Sequence, residues 1–232
     1  MNTAHVGNYG ARNTDVESDS VKISGLICKN LSSQYSRTLA DSSLEEYLIK
    51  NQVVSIHGID SRALVAHVRS KGAMNCIISS DSTLTLEDLK QVLAKVPSME
   101  GRELASQVST KEAYTLGDET SARRVAVIDF GVKKSILDNM VARGAFLKVF
   151  PFDSSFETCE TFSPNAYFVS NGPGDPSAMP NAVAVVKNIL ESKKPLFGIC
   201  LGHQLIALAS GATTYKMHHG HRGLNHPVLN LQ

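Results

Sequence analysis

Through the second half of this 232-residue chain, short apolar runs alternate with stretches of helical spacing. Val125 to Phe130, Phe146 to Phe150, Tyr167 to Ser170 and Leu196 to Ile199 are the apolar runs, and Lys133 to Arg143 and Asn181 to Ser192 are amphipathic segments between them. Strands that alternate with helices predict an α/β fold, a mostly parallel sheet covered by helices on both faces. In such sheets ligands bind beyond the carboxyl ends of the strands. Two of those ends carry unusual sequence.

The first half follows a looser pattern. Val21 to Leu31 mixes apolar and polar residues as a strand does, and Ser43 to Lys50 reads as a short helix opened by a serine cap. Val53 to Ile56 predicts a buried strand. Asp60 can cap a helix running to about Ser70, with Leu64, Val65 and Val68 on one face and Gly72 as its stop. Cys76 to Ser79 reads as a returning strand, and Thr83 to Val96 as a helix with a stripe of Leu84, Leu86, Leu89, Val92 and Leu93, ended by Pro97. From Ser98 to Arg124 the period fades into Ser, Thr, Gly and charge, the composition of a connection. The domain boundary falls near residue 122.

Composition narrows the classes. A length of 232 residues with 42% hydrophobic content suits two modest domains, and 23 basic against 22 acidic residues, a net charge of +1, give no footing for a polyanion. No nucleic-acid partner is expected. Cys28, Cys76, Cys159 and Cys200 lie far apart without a Cys-x-x-Cys pair, which fits a reducing cytoplasm better than a zinc ribbon or a disulfide framework. Met1 to Asp19 is polar and no later run is long enough to span a bilayer, so the expectation is a soluble cytoplasmic protein with no membrane partner.

The strand Pro195 to Ile199 runs into Cys200, and a helix closed by Gly211 follows. Gly198 and Gly202 leave room for a sharp turn that lifts a nucleophile above the sheet, the mechanical need met elsewhere by Gly-x-Ser-x-Gly. Free N–H groups and the dipole at the helix start favour a thiolate there. Cys200 is therefore the candidate nucleophile, against the plainer reading of one more core cysteine. The second unusual strand end is Ser170-Asn-Gly-Pro-Gly-Asp-Pro176, whose Gly172 and Gly174 let backbone N–H groups turn toward an anion. Beside Cys200 this loop is a candidate oxyanion hole. Gly131-Val-Lys-Lys-Ser135 lacks the upstream glycine of a phosphate loop and reads as an ordinary strand-to-helix turn. His218-His-Gly-His221 has no acidic or cysteine ligand near it, so no metal site is expected, and His203 reads as a packing or hydrogen-bonding residue.

Gly198-Ile-Cys-Leu-Gly-His-Gln204 together with Asn171-Gly-Pro-Gly-Asp-Pro176 resembles the class I, triad-type glutamine amidotransferases. Val127 to Lys133, Ala207 to Gly211 and Gly220 to Pro227 narrow the resemblance to the small chain of glutamine-dependent carbamoyl phosphate synthetase. His5 to Gly10, Gly58 to Leu64 and Arg69 to Ala73 resemble that chain's own N-terminal domain. The resemblance implies that domain over 1–122, with its linker, and an amidotransferase domain over 123–232. It further implies a glutaminase subunit that hydrolyses L-glutamine and passes ammonia to a large synthetase chain, which uses ATP and magnesium to make carbamoyl phosphate for arginine and pyrimidine synthesis. No cofactor is implied on the present chain. The implied roles are attack by Cys200, an oxyanion held near Leu201 and Gly172, and glutamine contacts from Gly172, Gly174, Leu201 and Gln204.

The pattern is incomplete. The family's base comes from a His-x-Glu pair, and no His-x-Glu occurs in these residues. The first strands of the family are also missing, so the chain reads as an internal fragment, truncated at both ends and slow as a glutaminase by itself. The alternatives are a catalytically impaired or non-enzymatic assembly subunit and a cysteine hydrolase of another amide. Truncation through a parallel sheet predicts exposed apolar surface and limited solubility.

Overall fold

The computed structural model of the protein describes residues 1, 3 and 5–220. Packing divides the chain into two units, one holding Met1–Asp15, Ser20–Pro97 and the segment from Lys216, the other Val16–Asp19 with Ser98–Tyr215.

In the first unit, β1 (Gly25–Ile27) and β2 (Val54–Ile56) pair in parallel, with Leu26 opposite Ser55. Between them α1 (Leu44–Lys50) starts on the expected cap: the Ser43 hydroxyl accepts from the Glu46 amide at 3.1 Å, and the Glu46 carboxylate accepts from the Ser43 amide at 2.8 Å. Leu48 then meets Val6, Leu26 and Cys28 in a small core. Helices α2 (Ser61–Lys71) and α3 (Leu86–Ala94) also form where local signals place them: Asp60 caps the first, Gly72 at φ 91° ends it, and a Thr85/Asp88 capping box opens the second.

The burial expected of these elements differs from what is found. Ile56 is exposed, so β2 is not a buried strand; Cys76 to Ser79 is irregular; and the expected stripe of α3 is only half-buried at Leu89 and Leu93 and otherwise lies in solvent, with Leu86 70% exposed. Caps act within one turn of chain, whereas an apolar stripe is buried only where another element meets it.

The second unit holds a five-stranded sheet in the order β3-β5-β4-β6-β7. Its strands are β3 (Tyr114–Leu116), β4 (Arg124–Asp129), β5 (Phe146–Pro151), β6 (Ala166–Val169) and β7 (Leu196–Gly198). Strands β4 to β7 are mutually parallel, while β3 lies antiparallel on β5 with Thr115 opposite Lys148. The segment expected as a simple connection thus supplies an edge strand, too short to announce itself by period. Helices α4 (Lys134–Ala142), α5 (Phe156–Glu160), α6 (Pro180–Glu191) and α7 (Leu201–Ala209) complete the unit.

Alternation along β4 sorts the core. Ala126 and Ile128 face one side, where Phe150, Tyr167 and Val169 meet Val186 and Ile189 of α6 and Leu201 and Leu205 of α7. Val127 faces the other, with Leu147, Val149, Phe168 and Leu137 of α4. On that second side an apolar hollow of about 510 Å³ stays open along β7, lined by Ile136, Met140, Phe168, Leu196, Phe197 and Ile199, and Phe197 is 65% exposed. The start of α4 is capped from a distance: Lys133 offers no side-chain cap, and instead the Glu17 carboxylate accepts from the Ser135 amide at 2.9 Å while the Glu17 carbonyl accepts from the Lys134 amide at 3.0 Å. The bonds from Ser135, its backbone amide first, hold the Glu17 carboxyl below its usual range. No helix among the described residues is long and apolar enough to cross a membrane.

Candidate active site

The order β4-β6-β7 sets three parallel strand ends side by side, and each ends in a turn of distinct chemistry. At β7 the chain rises through Ile199 into Cys200, which holds φ 52° and ψ −108° before α7 begins at Leu201. Such a backbone is disfavoured for any residue with a side chain, and its presence at a strand-to-helix junction is the strained elbow that the sequence predicts. The thiol is exposed.

The two glycines beside it are explained by distance. A Cβ on Gly202 would stand 2.1 Å from the Val169 carbonyl oxygen, and one on Gly198 would stand 2.6 Å from the Gly202 carbonyl carbon. The first turn of α7 therefore lies directly on β6. The Gly202 amide donates to the Ser170 carbonyl at 3.0 Å and to the Ile199 carbonyl at 2.9 Å. Leu201 is buried, whereas His203 and Gln204 are exposed, and the Gln204 amide donates to the Cys200 carbonyl at 3.1 Å.

At the end of β6 the glycine loop is held from beneath. The Ser170 hydroxyl accepts from the Phe130 amide at 2.9 Å and donates to the Asn171 carbonyl at 2.8 Å, and the Asn171 amide group donates to the Gly131 carbonyl at 2.8 Å. Gly172 passes so close to β4 that a Cβ there would stand 2.1 Å from the Phe130 carbonyl oxygen. Gly174 takes φ 104° and bridges to Glu103; the Asp175 amide then donates to the Arg102 carbonyl at 2.9 Å, and the Asp175 carboxylate accepts from Gly101 at 2.9 Å. Neither the Gly172 nor the Leu201 N–H donates to an acceptor among the described residues.

The turn after β4 is a strand-to-helix turn, as expected, and it has an organiser that the sequence reading missed. Buried Asp129 accepts from Gly131 and Val132 at 2.8 Å through one oxygen and from Thr110 at 2.7 Å through the other. These amides face a carboxylate, so they are not free to cradle a phosphate. The legible signal was an acid at the end of an apolar strand, two residues before Gly131.

The other cysteines differ from Cys200 in setting. Cys28 and Cys159 are buried and Cys76 is exposed in the first unit. Burial foremost, with the neighbouring Glu160 charge, pushes the Cys159 thiol up to about 12. His218 and His219 meet edge to face, and no group of three metal-ligating side chains occurs among the described residues. His221 and the rest of the stretch to Pro227 lie outside the described residues.

A mostly parallel sheet with a cysteine elbow beside a glycine loop defines a class I glutamine amidotransferase domain, and residues 126–232 match the family model "Glutamine amidotransferase class-I". Residues 1–78 match "Carbamoyl-phosphate synthase small chain, CPSase domain". The chain belongs to the carbamoyl phosphate synthase small-chain family. It is 42% identical to the carbamoyl phosphate synthase small chain of Synechococcus, over 96% of this chain and 60% of that one. The corresponding figures are 41%, 100% and 65% for the small chain of Aquifex aeolicus, and 43%, 97% and 63% for that of Clostridium perfringens. The chain thus spans 60% to 65% of the length of these relatives.

Proposed function

We propose that this chain is the glutamine-hydrolysing part of a carbamoyl phosphate synthetase, with Cys200 as its nucleophile. The observation that carries the reading is the exposed Cys200 on a strained elbow whose helix lies against the glycine loop. In this reading the Cys200 thiolate attacks the side-chain amide carbon of L-glutamine, and the C=O electron pair moves to oxygen. The Gly172 and Leu201 N–H groups receive that oxyanion. Collapse expels ammonia once the leaving nitrogen has been protonated, and water then hydrolyses the glutamyl thioester to regenerate Cys200. Gly174 and Gln204 complete the glutamine contacts. The ammonia serves a large synthetase chain that uses ATP and magnesium, and no cofactor acts on the present chain.

The sequence has no His-x-Glu, and no histidine among the described residues hydrogen-bonds to Cys200. Turnover by the isolated chain is therefore proposed to be slow, because a cysteine of this type depends on a base to shuttle the proton. The competing reading is an assembly subunit without turnover. Incubation with a diazo-ketone analogue of glutamine, followed by peptide mapping, tests the assignment. The expected result is modification at Cys200, protected by glutamine, with exposed Cys76 as the internal comparison. Equal modification of Cys76 and Cys200, or labelling that glutamine leaves unchanged, would refute it.

A further inference from the structure

We infer that Ser170 is a positioning residue whose hydroxyl fixes the Asn171–Gly172 peptide so that the Gly172 N–H faces the developing oxyanion. The inference rests on the glutaminase reading and deepens it.

Every polar group of Ser170 is committed, and the residue is fully buried. Its N–H donates to the Ile128 carbonyl at 3.1 Å and its carbonyl accepts from Gly202 at 3.0 Å, which ties the main chain to β4 on one side and to the elbow helix on the other. The hydroxyl is left, and it sits between the Phe130 amide, 2.9 Å away, and the Asn171 carbonyl, 2.8 Å away. Having accepted from the amide, it has its proton to give to the carbonyl. One hydroxyl thereby joins the end of β4, the first peptide of the glycine loop and, through its own carbonyl, the turn that carries Cys200.

The direction of the Gly172 N–H follows from peptide geometry. The peptide bonds among the described residues are trans, and in a planar trans peptide the N–H points opposite to the preceding C=O. With the Asn171 carbonyl drawn inward onto the Ser170 hydroxyl, the Gly172 N–H is turned outward, where no acceptor among the described residues takes it. Glycine has no intrinsic preference that would hold this peptide one way up. The hydroxyl supplies it, and the amide of Asn171, donating to the Gly131 carbonyl at 2.8 Å, anchors the same residue from its side chain. An oxyanion donor accelerates a reaction to the extent that it is already aimed when charge develops.

Two reactions at the same sulfur separate this role from a merely structural one. Acylation by γ-glutamyl p-nitrophenyl ester forms an S–C bond, passes through a tetrahedral oxyanion and releases p-nitrophenolate, a leaving group that needs no proton from a base. Alkylation by iodoacetamide forms an S–C bond and displaces iodide without an oxyanion. Rate constants for both are measured at Cys200 by peptide mapping in the full chain. Ser170→Ala is expected to lower acylation about 10- to 100-fold while alkylation stays within about twofold. Ser170→Thr and Ser170→Val share shape and strain and differ by the hydroxyl, so Thr should keep the acylation-to-alkylation ratio and Val should lose it, even if Ala folds poorly. Equal ratios in Thr and Val, or a parallel fall in both reactions, would overturn the inference alone. If the wild-type ester reacts no faster at Cys200 than at Cys76 while iodoacetamide reaches both, the glutaminase reading itself fails and the role of Ser170 falls with it.

Discussion

At Cys200 the backbone and the chemistry make opposite demands. Its φ of 52° and ψ of −108° favour glycine, yet a nucleophile must carry a side chain. Strain of this kind costs roughly 1–3 kcal/mol, and glycine gives back about 0.5–1 kcal/mol through the entropy of the unfolded chain. Cys200→Gly should therefore be more stable than Cys200→Ala by about 1 kcal/mol, read as a shift in urea midpoint, while neither variant is labelled at this position. Equal midpoints would mean that the elbow stores no strain. Gly202 makes the opposite case: a methyl group there would stand 2.1 Å from the Val169 carbonyl oxygen, in the floor of the site. Gly202→Ala should cost about 3 kcal/mol or more and abolish selective labelling, whereas Gly211→Ala, with open space around its Cβ, should cost about 1 kcal/mol from its φ of 91° alone. Denaturant titration of the pair distinguishes packing from backbone strain.

Elements show which signals travel in sequence and which do not. Ser43 and Asp60 start helices where they were expected to, and Thr85 opens α3 two residues beyond the expected start at Thr83, because a cap is decided within a few residues. The strands β4 to β6 were legible for a different reason: buried on both faces, they read as continuous apolar runs, and β7 reads the same way although its Phe197 is left exposed. The largely exposed stripe of α3 and the irregular Cys76–Ser79 segment were misjudged, since periodicity announces a face without saying whether anything covers it. Within the site, Cys200 and the two loop glycines were visible as turn chemistry, but the work of Ser170 and Asp129 was not, because each holds a partner far away in sequence, Phe130 at 40 positions and Thr110 at 19. Helix α5 brings in one further long-range group, Glu160, which accepts from Lys194 at 2.6 Å and from the Tyr167 hydroxyl at 2.5 Å. Those bonds, Lys194 first, depress the Glu160 carboxyl, and burial first, then Glu160, raises the Tyr167 hydroxyl. A depressed folded value means that the contribution is present above the unfolded carboxylate range, roughly pH 4.3, and is lost as pH falls through the lower folded value. Glu160→Gln should lower stability by about 0.5–1 kcal/mol at pH 7, a small figure because both side chains are about one-third exposed, and the gap to wild type should narrow progressively as pH falls below the unfolded carboxylate range. A gap that persists at low pH would assign the effect to packing instead.

For the molecule as a whole, the open apolar hollow along β7 is the feature most exposed to circumstance. Phe197 stacks on Phe168 with ring centroids 6.3 Å apart and is otherwise largely uncovered, on the last strand of the sheet among the described residues. An uncovered strand edge beside apolar surface favours association between chains. Phe197→Glu is expected to reduce light scattering at high protein concentration and to weaken binding of an apolar dye, with labelling of Cys200 by iodoacetamide retained. Unchanged scattering would locate the sticky surface elsewhere, with the α3 stripe the next to test. The division of the chain carries a separate lesson, because Val16–Asp19 belongs with the residues after Ser98 rather than with its sequence neighbours. Glu17 is the stopper of a helix 118 positions further along. A gene cut at residue 98 to express the second unit alone would thus discard a part of that unit made long before the rest leaves the ribosome. Such a piece should begin α4 frayed, and a short synthetic peptide spanning Glu17 should restore it in trans.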